Sequence, residues 1–315
     1  MIWILLVLLY GILKGLREIA KKKALKKNSV MEVLVQYTFL SFLLVLPQAP
    51  NAGGLEPKFF VFIAIKAVAV FLAWICSFHS LKELPVSLYG ILDLSRVLFA
   101  TSFGVFLLRE PLSFLQALGL VIVCSGLLLL KFRPPFLAKL LKYQGNTEAQ
   151  IVSKSTDISA SSIPEQAQST EKKRGTTIFV ILALASCLLN AISGFLDKVL
   201  MKDISSSQLQ FWYTFFMILY YLIYVLVTRT KISRTVWKNK WIWLLAIMFI
   251  IGDKALFIAN GIPESRITVM TLIKQGGCIV TILGGYFVFK EKNIAYRLFC
   301  ATVIIIGILI GMINI

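Results

Sequence analysis

Seven ionisable side chains stand away from the ends of otherwise apolar stretches of this chain: Lys14, Lys66, Arg96, Lys254 and Lys274 are basic, and Asp93 and Asp253 are acidic. A charge placed in lipid costs about 2.5 to 3.5 kcal/mol on insertion scales, so each needs a partner, a cavity or a substrate. Asp93 and Arg96 lie at i, i+3 on a helix and can neutralise each other. Asp253 and Lys254 are adjacent, diverge by about 100° on a helix, and so require a partner on another element. Lys14, Arg17 and Glu18 share one helical face, where Arg17 and Glu18 read as interfacial and Lys14 lies a turn deeper. Asn190, Asn260 and Gln275 add hydrogen-bonding groups, while Trp74, Trp212 and Tyr213 offer aromatic faces. The basic excess favours a ligand with a carboxylate or phosphate. The candidate substrate-binding or gating set is therefore Lys14, Asp93, Arg96, Asn190, Asp253, Lys254, Lys274, Gln275, Trp74 and Trp212.

Catalysis has no comparable support. The chain has a single histidine, His79, and no His/Asp/Glu grouping with acid–base spacing. Its five cysteines (Cys76, Cys124, Cys187, Cys278, Cys300) lie in apolar segments without Cys-x-x-Cys spacing, so they read as small apolar residues. No nucleotide-binding motif is present. The sequence thus predicts no enzyme activity, no cofactor and no metal site.

The elements that must position the charged residues follow from composition. Of 315 residues, 58% are hydrophobic and 15% charged, whereas a soluble domain carries about 25% charged residues. Ten apolar runs are long enough for membrane helices: approximately Ile2–Ile19, Met31–Leu46, Phe59–Phe78, Val86–Leu108, Leu112–Leu130, Thr176–Leu196, Gln208–Val227, Trp241–Ala259, Ile267–Phe289 and Ile294–Ile313. They lack the alternation of barrel strands. Met1-Ile2-Trp3 enters the first run without a basic leader, so that run reads as a retained helix.

The net charge of +18 acts as a topology signal. Of 33 Lys and Arg, 23 fall in the odd-numbered connections, counting Arg17 and Arg297 at the run ends with the connections they adjoin, 5 in the even ones and 5 deeper within apolar runs. By the positive-inside rule both termini lie outside, and the basic loops attract anionic lipid headgroups, with no nucleic-acid role. A Ser/Thr/Gln/Lys-rich stretch over 142–175 reads as a flexible cytoplasmic linker between five-helix units at 1–141 and 176–315.

Those two units resemble each other. Gly104, Phe106, Glu110 and Gly126 recur at a constant offset as Gly285, Phe287, Glu291 and Gly307, and Tyr37-Thr38-Phe39 recurs as Tyr213-Thr214-Phe215. Gly15 and Glu18 correspond to Gly194 and Asp197, and Asp93 corresponds to Lys274, which predicts an ion pair between the repeats. An odd number of helices per unit makes the second enter from the opposite side. The expected fold is an all-α integral membrane protein whose ten transmembrane helices form two inverted five-helix repeats, with a site between them near the midplane.

The segments Phe106-Leu107-Leu108-Arg109-Glu110-Pro111-Leu112 and Phe287-Val288-Phe289-Lys290-Glu291-Lys292-Asn293, with Gly126 and Gly307 in the following helices, resemble the drug/metabolite transporter superfamily with duplicated EamA-type units. Lys22-Lys23-Ala24-Leu25 and Leu196-Asp197-Lys198-Val199 are similar to it as well. That resemblance implies a secondary transporter in a multi-pass membrane setting, the inner membrane of a bacterium. Its expected partners are a small anionic or zwitterionic metabolite and membrane lipids. Outside termini depart from the family's usual cytoplasmic ones. A flippase for a lipid-linked sugar is the alternative within this class; a membrane enzyme or a scaffold lies outside it.

Overall fold

The computed structural model describes residues 2–107, 109, 113–131, 165–230, 232–291 and 294–312, and among these all regular structure is helical. The helices are α1 (Ile2–Leu25), α2 (Val30–Val45), α3 (Pro57–Glu83), α4 (Val86–Leu92), α5 (Arg96–Phe106), α6 (Phe114–Lys131), α7 (Glu165–Leu200), α8 (Ser206–Thr228), α9 (Lys240–Gly261), α10 (Ile267–Lys274), α11 (Gly277–Phe289) and α12 (Ile294–Met312). Among the described residues, six stretches are long and apolar enough to cross a membrane: Val30–Asn51, Pro57–Glu83, Val86–Phe106, Thr177–Leu200, Ser206–Thr228 and Lys240–Gly261. Three shorter apolar helices are Phe114–Gly126, Gly277–Phe289 and Tyr296–Gly311. The α1 helix is apolar at its start, but Lys14, Arg17, Glu18 and Lys21 interrupt its second half and all four are buried.

Local sequence sets the helix ends. Ser29 and Glu32 close a capping box on α2, and Ser205 and Gln208 close the same box on α8. Pro57 opens α3, and Asn239 accepts a bond from the Trp241 backbone N–H at the start of α9. Two long apolar runs that read as continuous are broken. A 3-10 turn at Asp93–Ser95 separates α4 from α5, and tight turns at Gln275 and Gly276 separate α10 from α11. Gly276-Gly277 lowers helix propensity at the second break. At both breaks a polar side chain, Asp93 or Gln275, engages Lys14 of α1.

The flexible linker expected over 142–175 also changes. The α7 helix begins at Glu165, so 165–175 is helical; strong helix formers such as Glu165, Gln166 and Ala167 carry the apolar helix backwards. The remainder of that stretch lies outside the described residues.

Packing is reciprocal between the chain's halves. The α1 helix packs on α9 and α3 packs on α7; α2 meets α8, and α6 meets α12. Backbones approach closely at glycine. A Cβ on Gly119 would stand 2.4 Å from the Gly307 carbonyl oxygen, and one on Gly277 would stand 2.0 Å from that of Gly11. Such contacts give dispersion that bulkier residues would block. Phe106, Phe287 and many Leu and Ile side chains remain exposed on the outside, as lipid requires.

Candidate functional site

A cavity lies where α1, α3, α5, α7, α9 and α10 converge, with about 840 Å³ of space between atoms, part of it open to solvent. Its wall carries six basic side chains, Lys14, Arg17, Lys21, Lys66, Arg96 and Lys274. Four carboxylates answer them. Asp93 pairs with Lys14 and, at 2.9 Å, with Arg96; Arg17 meets Asp253 at 3.4 Å, Lys21 meets Glu18 at 2.7 Å, and Lys66 meets Asp197 at 3.2 Å. Buried pairs of this kind are tolerated because each ion offsets the desolvation of the other, and removing one partner exposes that cost. Lys274 has no direct partner among the described residues, and Arg96 shares Asp93 with Lys14. The cavity therefore keeps a positive surplus.

Aromatic rings hold the cations in place. The Arg17 guanidinium lies 5.3 Å from the Tyr10 ring centre and 5.5 Å from that of Phe249. The Lys66 amine sits 3.4 Å from the Tyr213 ring centre. Tyr37, Trp74 and Phe249 pack together beside them, Tyr37 and Trp74 stacked at 4.7 Å and Trp74 edge-on to Phe249 at 5.1 Å. Cation–π contact replaces part of the lost hydration without neutralising the charge.

The two helix breaks meet at one amine. Lys14 pairs with Asp93 and donates to the Gln275 side-chain oxygen at 3.3 Å. A smaller cavity beside the main one is lined by Lys14, Glu18, Asp93, Gln275 and Thr281 together with Gly15, Gly90, Gly277 and Cys278. Within this region the Gln275 Nε2 and the Arg96 Nε are buried donors without a protein acceptor.

The main cavity thus gathers Lys14, Arg96, Asn190, Asp253, Lys274 and Trp74 of the candidate set, with Asp93 and Gln275 directly behind it. Lys254 and Trp212 do not line it. Lys254 donates to Gln48 at 2.9 Å and Ser207 at 2.8 Å, and Trp212 donates to the Ala52 carbonyl at 2.9 Å. Both tie the turn Leu46–Asn51 and its flank to α8 and α9. Asn260 is buried at the end of α9, where its carbonyl accepts from Lys198 at 3.1 Å.

Two expectations are corrected. Asp93 pairs with Lys14 and Arg96 instead of Lys274, because α1 threads between the two breaks and brings its amine closer. Arg17 and Glu18 are not interfacial: both are buried, since α1 packs against α9 and α11 along that face. Asp197, Tyr10, Tyr37 and Phe249 were absent from the sequence-derived set. Asp197 stood in the Leu196-Asp197-Lys198 motif, just beyond the apolar run. Its equivalence to Glu18 was the available signal, because Glu18 also carries a buried pair. The tyrosines carried none, as aromatic residues are common in such helices.

Residues 1–132 match the EamA-like transporter family, which belongs to the drug/metabolite transporter superfamily. A solved structure titled only "Crystal structure of protein" aligns with a TM-score of 0.61 at 11% identity, covering 98% of this chain and 94% of that one; this is a likeness of fold alone. No curated protein matches the sequence.

Proposed function

We propose that this chain, whose residues 1–132 match the EamA-like transporter family and whose helices include six long and apolar enough to cross a membrane among the described residues, is a secondary transporter for a small anionic or zwitterionic metabolite. The observation that carries this reading is the cavity's six basic side chains against four carboxylates. A carboxylate or phosphate between Arg96 and Lys274 would neutralise the surplus and find the Arg96 Nε donor that has no acceptor in the protein.

Alternating access rests on the halves being exchangeable, and several local features support an inverted repeat. The capping boxes at Ser29 and Ser205 precede Tyr37-Thr38-Phe39 and Tyr213-Thr214-Phe215 at the same spacing. Thr38 and Thr214 each bond back to carbonyls one turn earlier. Arg109 and Lys290, equivalent by sequence, both adopt the left-handed conformation at φ 53° and 51°. Lys22 of α1 donates to the Leu81, Lys82 and Leu84 carbonyls at the end of α3, while Lys198 of α7 donates to those of Asn260 and Ile262 at the end of α9. The helix breaks at Asp93–Ser95 and at Gln275 and Gly276 fall over equivalent stretches of the two halves, where discontinuous helices build substrate sites in such folds. A rocking of one half about the other would expose the cavity to either side in turn.

The test is a thermal-shift screen of purified protein against carboxylates, phosphates, amino acids and organic cations. Binding raises stability by mass action. Anionic or zwitterionic compounds are expected to raise the melting temperature; stabilisation by organic cations alone would overturn the assignment.

A further inference from the structure

We propose that the outer face of α1 is a binding site for an anionic phospholipid, with its phosphate held by Lys23 and Lys26 and an acyl chain lying along the helix. Leu5, Leu9, Ile12 and Leu16 are exposed and follow one another at i+4, i+3 and i+4, so they form a single apolar stripe. Continuing at the same spacing through Ile19, that stripe ends in Lys23 and Lys26. The α1 helix packs on α9 on one side and α11 on the other, so these elements flank the stripe.

The end of the stripe is built, not merely basic. The Lys23 amine lies 5.7 Å from the Trp241 ring centre and 5.5 Å from that of Phe289, and the Lys26 amine lies 5.2 Å from the same Phe289 ring. The two rings come from α9 and α11 and fix both amines above the apolar strip. No ion pair to either amine occurs among the described residues, whereas the neighbouring Lys22 is spent on the end of α3 and Glu291 is engaged by Arg297. From Leu5 to Lys23 the helix rises about 27 Å, close to the roughly 30 Å of a hydrocarbon core. The amines therefore stand at the level of lipid phosphates when the stripe faces acyl chains. Charge complementarity then selects an anionic headgroup over a neutral one.

Native mass spectrometry of the full chain, released from nanodiscs holding equal phosphatidylglycerol and phosphatidylcholine, tests this site. Wild type is expected to retain phosphatidylglycerol preferentially. The K23Q/K26Q pair should lose that preference by about fivefold per lysine. K82Q/K238Q, with the same charge loss at exposed lysines elsewhere, should keep it. Phe289→Leu, which leaves every charge in place, should weaken retention as well, and it carries the test if the lysine pair fails to fold. Equal losses in both lysine pairs would reduce the effect to bulk charge and overturn the site, as would equal retention of the two lipids by wild type. Displacement by inorganic phosphate alone would show that the acyl stripe plays no part, and would also overturn it.

Discussion

Arg17 and Asp253 are charges taken out of water and set 3.4 Å apart between α1 and α9. Breaking such a pair leaves one ion buried alone. Arg17→Ala is expected to cost about 3 to 5 kcal/mol, and Arg17→Ala combined with Asp253→Ala should recover part of that loss in a thermal-melting cycle. A full additive loss would show that the two do not interact. Lys274 should behave oppositely: with no direct partner among the described residues, Lys274→Ala removes an unneutralised half-buried cation and should hold or raise the melting temperature. Arg109 and Lys290 hold left-handed backbone that costs a non-glycine residue about 1 to 2 kcal/mol. Lys290→Gly is expected to stabilise the protein by about 1 kcal/mol, and a lower melting temperature would contradict that account.

At the scale of elements, close glycine contacts and broken helices make the site. The Gly277 backbone sits against Gly11 of α1, which presses the second break onto the helix that carries Lys14. Gly277→Ala should destabilise the fold by about 1 to 3 kcal/mol, the usual cost of overpacking. Gly194→Ala, whose Cβ meets nothing within 4 Å, should be neutral or stabilising in its helix; equal costs at the two positions would mean that close approach is not the cause. These contacts also mark how far the sequence could be read. Apolar run length located the helical segments, and i, i+3 spacing found the Asp93–Arg96 pair at 2.9 Å. The breaks at Asp93 and Gln275 stayed hidden because hydropathy is blind to a turn within an apolar run. Pairings across helices, Arg17 with Asp253 and Lys66 with Asp197, depend on which faces meet, and spacing within one helix carries no such information.

For the whole molecule, the basic residues divide into those that orient the chain and those that line its centre. The bias of 23 against 5 in the connections predicts outside termini. A reporter fused after Ile315 that is active only in the cytoplasm should therefore be silent; activity would reverse the orientation while leaving the fold intact. The central claim concerns the few basic side chains that remain inside. All of them but Lys254 gather, with Arg17 and Lys21, around one cavity between the halves and outnumber their carboxylates there. Uptake into proteoliposomes, with the compound that most stabilises the purified protein, addresses that claim most directly. Wild type should show saturable uptake, and Lys274→Ala, folded and equally abundant, should lose it at least tenfold. Unchanged uptake by Lys274→Ala would contradict a substrate anion held in this cavity.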